Sequence, residues 1–141
     1  MDLQTSTATT SIFPFMRYED APKAIDWLER AFAFQCQLRV PGPDGTIAHA
    51  ELRLGNGLIM LGSAKDDDLG LTTPRKLARV TQGIYVVLDD IDAHYRKARA
   101  AGAEIVRELA DTEYGSREYL ARDLEGHLWS FGTYRPAEAL A

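Results

Sequence analysis

Cysteine is almost missing from this chain: Cys36 stands alone, which excludes an internal disulfide and a redox cysteine pair. Cys36 is therefore read as a small strand residue, not a reactive thiol. No apolar run approaches the roughly 20 residues of a membrane helix. The first ten residues lack the basic start and apolar core of a signal peptide. A soluble, cytoplasmic protein with no membrane partner is the expectation. Positive charge is in deficit, with 16 Lys and Arg against 21 Asp and Glu and a net charge of −5. That balance argues against a nucleic-acid partner, since phosphate binding rests on clustered cations. A phosphate-cradling glycine loop and a nucleophile elbow are absent as well.

What is present is a pattern written twice. At 141 residues and 45% apolar content, the chain suffices for one packed domain and is too short for two ordinary ones. Each half reads as strand, acidic N-cap, amphipathic helix and further strands ending in a glycine-led apolar run. Asp20 precedes the first helix and Asp90 the second, 70 positions on; Gly57 opens the first closing run and Gly126 the second, 69 positions on. Two such sheet-and-helix units can enclose a shared cavity, where function is to be sought.

The elements follow from local chemistry. Ser11 to Tyr18 is expected as a strand. Asp20 caps a helix whose first turn tolerates Pro22, and Ala24, Ile25, Leu28, Ala31 and Phe32 form its buried stripe. That helix ends near Ala33, where a left-handed cap ordinarily takes glycine. Strands are expected over Gln35 to Val40, Thr46 to Leu54 and the run after the Asn56-Gly57 turn. Lys65-Asp66-Asp67-Asp68 is expected as a solvated loop in a polar linker containing Pro74. In the second half, Gly83 to Leu88 is a strand, and Ile91, Tyr95 and Ala98 stripe a helix ended by Gly102. Strands over Ile105 to Ala110, Arg117 to Asp123 and His127 to Tyr134 complete the copy. His94 is expected to face solvent, and His127 to share the helix-facing side with Trp129 and Phe131.

Strand alternation selects the candidate site residues. Ala48, Ala50, Leu52 and Leu54 share one face of their strand, while His49, Glu51 and Arg53 share the other. Glu51 as a base, His49 as its partner and Arg53 as an anion clamp would make a metal-free acid–base site, with burial raising the carboxylate pKa. The alternative is an ordinary polar sheet face. Phe13, Phe15, Leu58, Met60, Tyr85, Leu128 and Ser130 are expected to point away from the helices, with Arg17 on the same side. They form either a ligand wall or the filler of a closed core. Tyr114 and Arg117 belong to a loop at the lip.

The order of elements, Tyr114-Gly115-Ser116-Arg117 and the run from Asp123 to Gly132 resemble the glyoxalase/bleomycin resistance/extradiol dioxygenase superfamily, the vicinal oxygen chelate proteins. The likeness covers about residues 11 to 135, with Leu124 standing where the family pattern has proline. It implies an α+β fold of two βαβββ modules, whose curled mixed sheets surround a cup with helices on the outer faces. Module one would span 11–63, a linker 64–80 and module two 81–135, with a disordered tail at 1–10 and another tail at 136–141. Family enzymes hold a divalent metal with His, Glu or Asp on the first and fourth strands of each module. Those positions fall here on Phe13, Met60, Gly83 and Ser130, which supply no usual ligand, so no cofactor is expected. The resemblance thus implies a metal-independent, homodimeric protein of bleomycin-resistance type that sequesters a planar or hydrophobic organic molecule in the cup or a dimer groove. Phe13, Phe15, Arg17, His49, Glu51, Arg53, Met60, Tyr85, Tyr114, Arg117 and Ser130 would line the site. A lyase, isomerase or dioxygenase relative with a site rebuilt on His49 and Glu51 is the alternative.

Overall fold

The computed structural model describes residues 10–136, so the expected tails fall almost entirely outside the described residues. Module one contains β1 (Phe15–Tyr18), α1 (Ala21–Phe32), β2 (Gln35–Pro41), β3 (Ile47–Leu54) and β4 (Gly57–Ser63). A single helical turn, α2 (Pro74–Leu77), interrupts the linker. Module two contains β5 (Gly83–Val87), α3 (Ile91–Ala100), β6 (Glu104–Asp111), β7 (Arg117–Arg122) and β8 (Leu128–Gly132). The two sheets have the orders β1-β4-β3-β2 and β5-β8-β7-β6. In each, the module's first and last strands pair in parallel and the remaining pairs are antiparallel. The fold is α+β, with the predicted repeat visible strand for strand.

β1 is shorter than the sequence indicates, because Pro14 has no N–H to donate. Its carbonyl still accepts from Met60 N at 2.9 Å, so pairing begins there and Phe13 lies ahead of the strand, 43% exposed. The Asp20 carboxylate accepts from Lys23 N at 3.2 Å and starts α1, with Pro22 in the first turn where a missing N–H costs nothing. The helix ends at Ala33, held left-handed at φ 67°, and Phe34 N donates back to the Leu28 carbonyl at 3.3 Å. A Cβ in that region is strained, so glycine is the residue the geometry prefers.

One core serves both modules. Phe32 at the end of α1 meets Trp129 and Phe131 of β8, with ring centroids 5.5 and 4.8 Å apart. His94 of α3 lies in the same cluster, 7% exposed, and not in solvent as its sequence position was read. Its Nε2 lies 2.8 Å from the Phe32 carbonyl, which can only accept, so Nε2 carries the proton. Nδ1 then accepts from the Tyr119 hydroxyl at 2.6 Å. Burial lowers the His94 pKa, and nearby Lys97 adds to the effect.

The other joint is the β7–β8 turn. Asp123 Oδ1 accepts from the backbone N–H groups of Glu125, Gly126 and His127, and Oδ2 accepts from Tyr18 Oη at 2.7 Å and Trp129 Nε1 at 3.1 Å. The turn needs Gly126 at φ 101°. Glu125, thrown forward by the turn, accepts from Glu19 N and Asp20 N at 2.7 and 2.8 Å, at the start of α1. Burial and the Asp123 charge together hold the Tyr18 hydroxyl protonated far above its usual range.

Three outcomes follow from these contacts. Asp123→Ala strands two buried side-chain donors and unties the turn, and urea melts should show a loss of about 3 kcal/mol or more. Ala33→Gly relieves the left-handed cap and should raise stability by about 1 kcal/mol in the same assay. The folded state binds a proton at His94 less readily than the unfolded state does. Stability is therefore full above the unfolded histidine value of about 6.5 and falls as pH drops below it. His94→Gln should be less stable at pH 7 and should flatten that loss between pH 7 and 5.

Candidate functional site

Residues of β1, β5 and β8 come together at a seam between the modules, and linker residues border it. A cavity of about 340 Å³ lies there. Its apolar wall is Phe15, Leu71, Leu77, Ile84 and Leu128, and Gly83 contributes only backbone. Three further wall residues are Arg17, Arg79 and His127. His127 is half-buried, its ring tilted on Tyr18 with centroids 4.6 Å apart, and its Nε2 lies 3.0 Å from the Arg17 carbonyl.

Arg17 is 8% exposed. Nη2 donates to Asp67 Oδ2 at 3.0 Å, and that contact holds the Asp67 carboxyl below its usual pKa. Nη1 is buried and has no hydrogen-bond partner among the described residues. Leaving such a donor unmet costs about 1–3 kcal/mol, more when it belongs to a charged group. The linker is thus not the free polar spacer expected from its charge run. Asp67 ties it to β1, Thr73 Oγ1 donates to Glu19 Oε2 at 2.6 Å, and Arg75 lies 3.7 Å from Glu125. Leu71, Leu77 and Arg79 were missed as wall residues because the linker shows no periodicity to mark them, and His127, expected on the helix-facing side with Trp129 and Phe131, lines the cavity instead.

The remaining candidates separate onto two sheet faces. Phe15, Met60 and Glu51 stand in one row across β1, β4 and β3, as alternation predicts. Their face is open: Phe15 is 55% exposed. His49 Nε2 lies 3.0 Å from Glu51 Oε2, and Gln37 Nε2 donates to Glu51 Oε1 at 3.2 Å. Arg53 turns to Gln37 Oε1 at 2.9 Å instead of joining Glu51. The hydrogen bond from His49, reinforced by Gln37, lowers the Glu51 pKa and outweighs desolvation. This corrects the expected upward shift and leaves Glu51 a weak base.

On the second sheet, Tyr85 pairs with Ser130 and Ser130 with Leu120. Tyr85 and Ser130 share a shallow cavity of about 460 Å³ with Tyr114, Glu118 and Tyr134. Tyr85 Oη donates to the Tyr134 carbonyl and Tyr114 Oη to Glu118 Oε1, both at 2.7 Å. Arg117 does not join them. It points to the helix side, with Nε 2.8 Å from Asp92 and Nη1 3.0 Å from Asp111.

A divalent metal does not fit these residues. The positions that the family resemblance assigns to metal ligands hold Phe13, Met60, Gly83 and Ser130: two without side-chain donors, one soft thioether and one alcohol. Among the described residues, no three His, Cys, Asp or Glu side chains gather as a metal site.

Paired βαβββ repeats, each curling a mixed sheet with one helix laid on it, define the class of fold. The chain belongs to the Glyoxalase/Bleomycin resistance protein/Dioxygenase superfamily, which it matches over residues 10–131. It is similar to the crystal structure of TioX from Micromonospora sp. ML1, with 38% identity and a TM-score of 0.71 over 87% of this chain and 94% of that one. The uncharacterized protein Rv0887c of Mycobacterium tuberculosis is 34% identical over 133 residues, covering 93% of this chain and 78% of that protein. The fosfomycin resistance protein FosX of Listeria monocytogenes shares the fold at 13% identity, with a TM-score of 0.70 over 92% of this chain and 97% of that one.

Proposed function

We propose that this protein binds a small, partly apolar organic molecule without a resident metal, in the manner of a resistance or sequestration protein. The observation that carries the reading is one of chemistry at matched positions. Where the family places hard metal donors, this chain has Phe13, Met60, Gly83 and Ser130, and Gly83 borders a seam cavity whose wall is partly apolar. Such walls suit a planar or alicyclic body, recognised by contact area and displaced water. The family's description includes bleomycin resistance proteins, and antibiotics are one ligand class that the reading includes.

The binding form is a homodimer. Phe15, Leu38 and Val40 expose apolar surface on the first sheet, and Val106, Tyr114 and Tyr134 do so on the second. β2 and β6 are open edge strands. A second copy laid over these faces would bury them and close each half-cup. No helix among the described residues is long and apolar enough to cross a membrane.

Thermal melting with added metals and ligands tests the reading. Equimolar Mn(II), Fe(II), Co(II), Ni(II) or Zn(II) should leave the midpoint unchanged. A planar aromatic ligand at 100 times its Kd should add about 2.7 kcal/mol, a rise of several degrees. Stoichiometric metal with a stability gain, abolished in His49→Ala or Glu51→Ala, would overturn this conclusion in favour of an enzyme.

A further inference from the structure

The seam cavity carries a charge pattern opposite to that of the chain. Acidic residues outnumber Lys and Arg by 21 to 16 overall, yet the cavity wall contains Arg17 and Arg79, with the imidazole of His127, and no Asp or Glu; Asp67, which is not part of the wall, pairs with Arg17. Threonine and glutamine supply the rest of its polar lining, through Thr72, Thr73, Thr81 and Gln82. A space walled this way attracts an anion and repels a cation.

Arg17 gives the attraction a geometry. A guanidinium presents parallel N–H donors that match the two oxygens of a carboxylate or sulfonate. In Arg17 one terminal nitrogen is engaged by Asp67, and the other is buried without a partner. Asp67 belongs to the linker, where its other oxygen accepts from Leu69 N at 3.1 Å, and Gly70 follows at φ 71°. The fork is therefore half used, by a group whose stretch of chain also borders the cavity.

We propose that the seam cavity selects ligands joining an anionic group to an apolar body, and that Asp67 is the internal competitor which that group displaces from Arg17. This rests on the small-molecule binding reading and adds the ligand's charge to it. Arg17 takes both oxygens of the incoming acid, while Phe15, Leu71 and Leu128 hold the body. Asp67, released, moves into water with its segment of the linker, so occupancy and the position of that segment are coupled. A neutral ligand of equal shape gains the apolar wall and leaves the ion pair closed.

Two dyes differing by one sulfonate separate these terms: 8-anilinonaphthalene-1-sulfonate and the uncharged N-phenyl-1-naphthylamine. Fluorescence titration of the wild type should show the sulfonate binding about tenfold more tightly. Arg17→Met should abolish that preference and keep the neutral dye. Asp67→Asn, on the linker and independent of any folding defect at Arg17, should strengthen the sulfonate severalfold and leave the neutral dye unchanged. Leu128→Trp, which fills the cavity, should weaken both. Sulfonate preference unchanged in Asp67→Asn and in folded Arg17→Met overturns the proposal while leaving an apolar binding cavity. Undiminished binding of both dyes in Leu128→Trp removes the anion site from this cavity. A wild type that binds neither dye overturns the underlying binding reading as well.

Discussion

The polar joint between the two modules is built on the carboxylate of Asp123. One oxygen gathers three consecutive backbone N–H groups into the β7–β8 turn, and the other holds Tyr18 of β1 and the indole of Trp129. A buried acid is tolerable only when its charge is fully hydrogen-bonded, and five donors meet that condition here. The turn so formed throws Glu125 onto the backbone at the start of α1. It also sets His127 against Tyr18 and the Arg17 carbonyl. Remove the carboxylate and the seam loses its floor as well as its joint.

The joint is one-sided although the fold is a repeat. The turn of module one, at Gly55 and Asn56, carries no acid, so nothing like Asp123 reaches across to module two. The start of α3 relies on its own Asp90, which accepts from Ala93 N at 3.1 Å, whereas α1 has both Asp20 and the visiting Glu125. Module two compensates through aromatic packing, with Phe32 of α1 set among Trp129, Phe131 and His94. Polar specificity fixes one end of the interface and ring area fills the other.

Much of this was legible in the residues. Caps at Asp20 and Asp90, the left-handed stop at Ala33 and the alternation that lines up Phe15, Met60 and Glu51 are local, and local rules found them. Even the buried His94 left a trace, since positions 91, 94 and 98 share a helical face; polarity masked the periodicity. What stayed hidden depends on partners far along the chain. Arg17 meets Asp67 across 50 residues and Tyr18 meets Asp123 across 105, so the tie of Asp67 to β1 was not visible although Lys65, Asp66 and Asp68 are exposed as expected. Glu51 was misjudged because its face is open, so burial does not outweigh the hydrogen bond from His49 and the second one from Gln37 on β2.

In the proposed binding reading, the fold keeps its architecture and draws its binding energy from groups other than a metal. The positions that the family resemblance assigns to metal ligands hold Phe13, Met60, Gly83 and Ser130, and among the described residues no three His, Cys, Asp or Glu side chains gather as a metal site. Charge has moved to the seam, where Arg17 is desolvated by its neighbours and the linker presses one carboxylate against it. A guanidinium cannot lose its proton in the accessible pH range, so it binds by geometry and does not act as a base. Glu51, held ionised by His49 and Gln37 on an open face, lacks the raised pKa that general-base work requires. Both groups are held in fixed geometry by charged or polar partners, which is the arrangement that the proposed binding role uses.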